Sequence, residues 1–113
     1  MAIISNWDTR LAALLRKCGF DETMLDAVVC SAEEMSDKPD GRIFDVALAR
    51  LGLAREGAGV VHVGDSVTND VEGAQRAGFG AAVLWASELK PGNAFDFGQL
   101  ADEILQKNAA TAR

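Results

Sequence analysis

The 113-residue sequence has no apolar run near the ~20 residues that cross a bilayer, no cluster of basic residues, and only two cysteines. Each shortage removes a class of function. Without a long apolar run, no transmembrane helix is expected. The opening MAIISN also lacks a charged segment followed by a long apolar one, so no signal peptide is expected. The 11 lysines and arginines are outnumbered by 17 acidic residues, for a formal charge of -6. Nucleic acid is therefore not an expected partner, because binding a phosphate backbone requires concentrated cations. Cys18 and Cys30 match no CxxC or Cys/His metal spacing and lie in apolar settings. Both are expected to be buried free thiols, packed as small hydrophobes in a reducing cytoplasm or organelle matrix. No linker composition and no internal repeat interrupts the chain, so one domain is expected over residues 1–113.

What the sequence does contain is an alternation of short apolar runs and helical patterns. AIIS (2–5), AVVC (27–30), GVVHV (59–63) and GAAVLW (80–85) read as strands. Between the first two, Leu11, Leu14, Leu15 and Cys18 recur at helical spacing, with Asp8 as the expected cap and Gly19 as the stop. After the loop SAEEMSDKPD, Ile43, Phe44, Ala47, Leu48 and Leu51 mark one face of a helix ended near Gly52. A third helix is expected from about Val67 to Ala77, closed by Gly78, and a last one carries Phe97, Leu100, Ala101, Ile104 and Leu105. Strands without polar alternation, separated by helices, predict an α/β parallel sheet covered on both faces.

Such sheets carry their chemistry in loops beyond the carboxyl ends of the strands. Asp65 and Asp70 follow the third strand and together could hold a hard cation such as Mg²⁺. Helix capping by Ser66 or Thr68, with Asp70 favouring the positive helix end, accounts for the same residues. Lys38, fixed by Pro39, could neutralise a phosphoryl group, or could be a solvated loop lysine. Ser5 and Asn6 offer a hydroxyl, an amide and backbone N–H groups to phosphate oxygens, although a simple turn would use the same residues. His62, inside a strand, is expected to be packed and hydrogen-bonded. Trp7 and Trp85 are expected over the sheet ends, and Glu33-Glu34 in a solvated loop.

Taken in order, IISNWD, VVCSAEEMSDKPDGRIF and VVHVGDSVTNDVEGAQRAGFGAAVLW closely resemble the haloacid dehalogenase-like (HAD) superfamily, in particular its phosphatase-type branch. The likeness covers roughly residues 2 to 85. It implies a three-layer Rossmann-like parallel sheet. It places the family's motif serine on Ser5, its lysine on Lys38, and its acidic GDSxxND motif on Asp65 and Asp70, with Asp65 as the direct metal ligand and Asp70 supporting it. The family's nucleophile is an aspartate of a DxD motif on an earlier central strand. No two aspartates in this sequence stand two residues apart. The resemblance therefore implies a truncated core domain that lacks the first central strand and the cap.

The expected function is a phosphatase-like hydrolase module that keeps phosphate contacts (Ser5, Asn6, Lys38) and a weak, incomplete Mg²⁺ site (Asp65, Asp70). Without a nucleophile, covalent catalysis by the chain alone is not expected. Two alternatives stay open: a non-catalytic structural or interaction subunit that reuses the fold, and a fragment of a complete phosphatase. A phosphorylated small molecule is the expected ligand class. A homodimer or an obligate protein partner is expected, because removing a central strand leaves strand edges without hydrogen-bond partners.

Overall fold

The computed structural model describes residues 1–85, 93–94, 98, 100–102 and 104–106. The chain divides into two compact units, Met1–Arg55 and Glu56–Arg113. All strand pairings among the described residues are parallel.

In the first unit, β1 (Ala2–Ser5) pairs with β2 (Ala27–Cys30), with Ala2 opposite Ala27 and Ser5 opposite Cys30. A parallel pair needs a long crossover, and α1 (Leu11–Lys17) lies within it. Because the register is flush, the segments after Ser5 and after Cys30 leave the sheet at the same level. After a short helix, α2 (Ser31–Glu34), comes α3 (Gly41–Arg50). Its Ile43, Phe44, Ala47 and Leu48 are buried, at the helical spacing that forms one apolar face. Asp40 caps α3 by accepting the Arg42 N–H at 2.9 Å, as its position before the helix predicts. Gly52, at φ +72°, closes it in a backbone region where a side chain is strained.

Four expectations fail in this unit. Cys30 is buried, but Cys18 is exposed, because α1 is only 7 residues long and Cys18 lies just past its last turn. Of the expected α1 stripe only Leu11 is buried, and Leu14 is 44% exposed. Asp8 does not cap α1: the helix starts after Arg10, and the Asp8 carboxylate instead accepts the Arg10 N–H and pairs with its guanidinium at 2.7 Å. Glu33 and Glu34 lie in α2 rather than in a loop. Acidic residues suit a helix's first turn, and Glu34 gains Arg50 as an ion-pair partner. Trp7 is 39% exposed, with the Arg10 guanidinium 5.9 Å from its ring centroid.

In the second unit, β3 (Val61–Gly64) pairs with β4 (Ala81–Trp85), and β4 with β5 (Asn93–Ala94), a strand the sequence patterns did not indicate. β3 begins later than expected because Gly57–Gly59 wind into a 3-10 turn. The crossover helix opens as a wide π-type segment, Val67–Glu72, and continues as α4 (Gly73–Arg76) to Gly78 at φ +86°. Ala74 and Val83 are fully buried. Residues 98, 100–102 and 104–106 are helical as expected, although Leu105 is 67% exposed; Phe97 lies outside the described residues. No helix among the described residues is long and apolar enough to cross a membrane.

Candidate phosphate and cation site

Ser5 ends β1, so Asn6 leaves the sheet where the segment after β2 also leaves it. The two segments are tied together. Asn6 Oδ1 accepts the Lys38 backbone N–H at 2.7 Å, and Asn6 Nδ2 donates to the Lys38 carbonyl at 3.0 Å. A planar amide with a donor and an acceptor matches the N–H and C=O of one residue in this way. Nearby, the Trp7 carbonyl accepts the Ser31 hydroxyl at 3.1 Å and the Ala32 N–H at 3.2 Å, which fixes the start of the same segment. The Lys38–Pro39 peptide bond is cis. Three residues predicted separately thus lie on two adjoining segments of one unit: Ser5 half-buried at the strand end, Asn6 exposed, and Lys38 half-buried. The Asn6 side chain is thus engaged with Lys38.

In the second unit, the strand period of two places His62 and Gly64 on the same face of β3. Helical Cα–Cβ bonds tilt toward the N-terminus, so Asp70, in the first turn after Ser66, reaches back to that face. Its Oδ1 lies 2.9 Å from His62 Nε2, and its Oδ2 accepts the Ser66 N–H at 3.1 Å. The turn itself is held by the Ser66 carbonyl, which accepts both the Asp70 and Val71 N–H groups, and by the Ser66 hydroxyl, which accepts the Asn69 N–H at 3.1 Å. Ser66 is therefore the cap. A Cβ on Gly64 would overlap the Asp70 side chain, so the carboxylate occupies the space that any side chain at position 64 would need. Phe79 meets the His62 ring edge-on, with centroids 6.1 Å apart.

The two carboxylates predicted as a pair thus have different surroundings. Asp65 is exposed at the end of β3, whereas Asp70 is 3% exposed and turned inward. Sequence reasoning expected His62 to be packed and hydrogen-bonded, which it is, but did not identify Asp70 as its partner. The available signal was the alternation His62–Gly64 followed by an aspartate in the first turn. No group of three or more His, Cys, Asp or Glu suited to a metal occurs among the described residues.

These features define an α/β protein whose candidate residues lie where parallel strands end. The haloacid dehalogenase-like hydrolase profile matches residues 1–78. The chain belongs to the haloacid dehalogenase-like hydrolase family. It is 33% identical to the rhythmically expressed gene 2 protein of Drosophila melanogaster over 85 residues, which are 74% of this chain and 32% of that protein. It is 39% identical to the mouse haloacid dehalogenase-like hydrolase domain-containing protein 3 over 88 residues, 78% of this chain and 34% of the relative. The chain thus spans about a third of the length of these curated relatives.

Among solved structures, 2-haloacid dehalogenase from Pseudomonas syringae pv. Tomato superposes with a TM-score of 0.72 at 25% identity, over 93% of this chain and 46% of that one. The HAD phosphatase from Thermococcus onnurineus gives 0.67 at 27% identity, over 83% and 43%. Bacillus subtilis YfnB, a HAD-hydrolase solved bound to magnesium, gives 0.73 at 20% identity over 95% and 47%, a likeness of fold.

Proposed function

We propose that this chain is the phosphate- and cation-contacting part of a phosphatase-type HAD hydrolase and that it turns over no substrate by itself. The observation that carries this reading is the double hydrogen bond between Asn6 and the Lys38 backbone. It unites the serine- and lysine-bearing segments that the family resemblance assigns to phosphate. In this reading the Ser5 hydroxyl and the Asn6 N–H donate hydrogen bonds to phosphoryl oxygens, and Lys38 offsets their charge.

Mg²⁺ typically takes only one or two protein carboxylates, together with waters and phosphate oxygens. The exposed Asp65 suits a direct ligand of that kind, with Asp70 acting on it through the backbone. Asp65 would therefore hold the ion weakly, and the ion would supply a Lewis acid. A phosphatase of this family attacks with a DxD aspartate, and residues 1–113 contain no such pair. Residues 1–113 accordingly offer no carboxylate of that motif for attack on phosphorus.

Two assays test the reading. Titration calorimetry is expected to detect weak Mg²⁺ binding that Asp65→Asn abolishes; equal binding by both proteins overturns Asp65 as the ligand. The pure chain is expected not to hydrolyse p-nitrophenyl phosphate. Monoester hydrolysis is so slow uncatalysed that even weak true activity stands out. Turnover that disappears in Lys38→Ala overturns the claim that the chain is inactive alone.

A further inference from the structure

We propose that His62 is a positioning residue for Asp65, acting through the buried Asp70 carboxylate; this rests on the reading of Asp65 as the cation ligand. Asp65 stands between two residues that Asp70 controls. On one side, Gly64 has its side-chain space filled by Asp70. On the other, Ser66 donates its N–H to Asp70 Oδ2 at 3.1 Å. The backbone from which Asp65 projects is therefore set by where the Asp70 carboxylate sits.

That carboxylate needs its own anchor. The Ser66 N–H holds Oδ2, and losing a hydrogen-bond partner inside the fold is costly for a buried carboxylate. His62 Nε2 meets the other oxygen at 2.9 Å, with both side chains almost wholly buried, at 10% and 4% exposure. For an ionised Asp70, Nε2 must carry the proton and donate it. The imidazole is in turn fixed by its place in β3 and by the edge of Phe79. An apolar residue at position 62 would fill the space but remove the hydrogen bond to Oδ1. The strand core thus sets the direction of an exposed carboxylate through one relay, His62 to Asp70 to the Gly64–Ser66 backbone.

A pair that merely stabilised the fold would show different behaviour, and three variants of the chain separate the cases. His62→Phe keeps an aromatic ring beside Phe79 and removes the donor. It is expected to speed solvent exchange of the Ser66 amide at least tenfold relative to Val83, and to raise the Mg²⁺ Kd about tenfold, the usual scale for losing a group that orients a metal ligand. His62→Gln restores a donor and is expected to bring both readouts back to within about threefold of wild type. A His62→Phe protein that melts earlier yet keeps wild-type Ser66 exchange and Mg²⁺ affinity overturns the proposal.

Should His62→Phe fail to fold, the wild-type tautomer decides. Long-range ¹H–¹⁵N correlation is expected to place the proton on Nε2, and a bare Nε2 overturns the proposal. Asp65→Asn keeps the two readings apart. If it binds Mg²⁺ as wild type does, the cation reading fails, while Ser66 exchange in His62→Phe still decides the relay.

Discussion

Asn6 and Lys38, 32 residues apart in sequence, are joined by two hydrogen bonds of 2.7 and 3.0 Å between one side-chain amide and one stretch of backbone. The bonds lie at an exposed surface, where each contributes at the low end of about 0.5–1.5 kcal/mol. Asn6→Ala is accordingly expected to lower unfolding stability by about 1 kcal/mol. Its larger effect should be on orthophosphate binding, since Lys38 loses its tether. Urea denaturation and calorimetry with orthophosphate measure the two effects. Unchanged phosphate affinity would show that the tether does not serve the anion.

Gly64 and Gly41 make a contrasting pair. A methyl group at Gly64 meets the doubly bonded, buried Asp70, which cannot move without losing His62 or Ser66. Gly64→Ala is expected to cost about 1–3 kcal/mol, the usual range for overpacking. Gly41 opens α3 and has nothing within 4 Å of where a Cβ would sit. Gly41→Ala should be neutral or stabilising by about 0.5 kcal/mol. Denaturation midpoints of the two variants test both signs.

Phe44 and Asp40 test the first unit at its core and at its cap. Phe44 is fully buried, and Phe44→Ala is expected to cost about 3–5 kcal/mol. Asp40→Ala removes one cap hydrogen bond at the surface and should cost about 1 kcal/mol. Chemical denaturation should rank them in that order.

Asp8 and Asp21 give the pH dependence. The Arg10 side chain, then its N–H, hold the Asp8 carboxyl below the usual range. The Thr23 hydroxyl, then its N–H, do the same for Asp21. For a depressed folded pKa, the stabilisation is present above the unfolded value of about 3.9 and is lost as pH falls through the lower folded value. Carboxyl ¹³C titration should find both midpoints below the ordinary one, and Thr23→Ala should raise that of Asp21. Both groups are exposed, so only a small loss of stability is expected at acid pH.

Assembly is the remaining prediction. Among the described residues β1 pairs only with β2, and β3 only with β4. The segments AIIS and VHVG that leave these edges open contain no lysine or proline, the residues that usually guard an edge. We propose that the chain forms a homodimer or binds an obligate partner by strand addition. Light scattering after size exclusion tests this, and a cooperative monomer at low micromolar concentration overturns it.

The sequence by itself determined the four main strands, the order of helices between them, and the family. β-Branched runs, the Asp40 and Ser66 caps, and the stops at Gly52 and Gly78 are local signals that need no distant contact. It also placed Ser5 and Asp65 at strand ends and Lys38 in the loop after the second strand, because strand and loop boundaries are written locally. Tertiary structure decided the rest. Leu14 and Cys18 have a helical spacing identical to that of buried residues, and only the shortness of α1 and what lies beside it left them exposed. Asp65 and Asp70 are the same residue type five positions apart. One is open and the other is buried because Asp70 turns back onto β3, where His62 and Gly64 leave it a partner and a space. Asn6 could be read only as a turn or anion-binding residue until folding brought Lys38, 32 residues away, to its amide. Side-chain chemistry is inherited from the sequence, but the partner that commits it is supplied by chain segments that local periodicity does not relate.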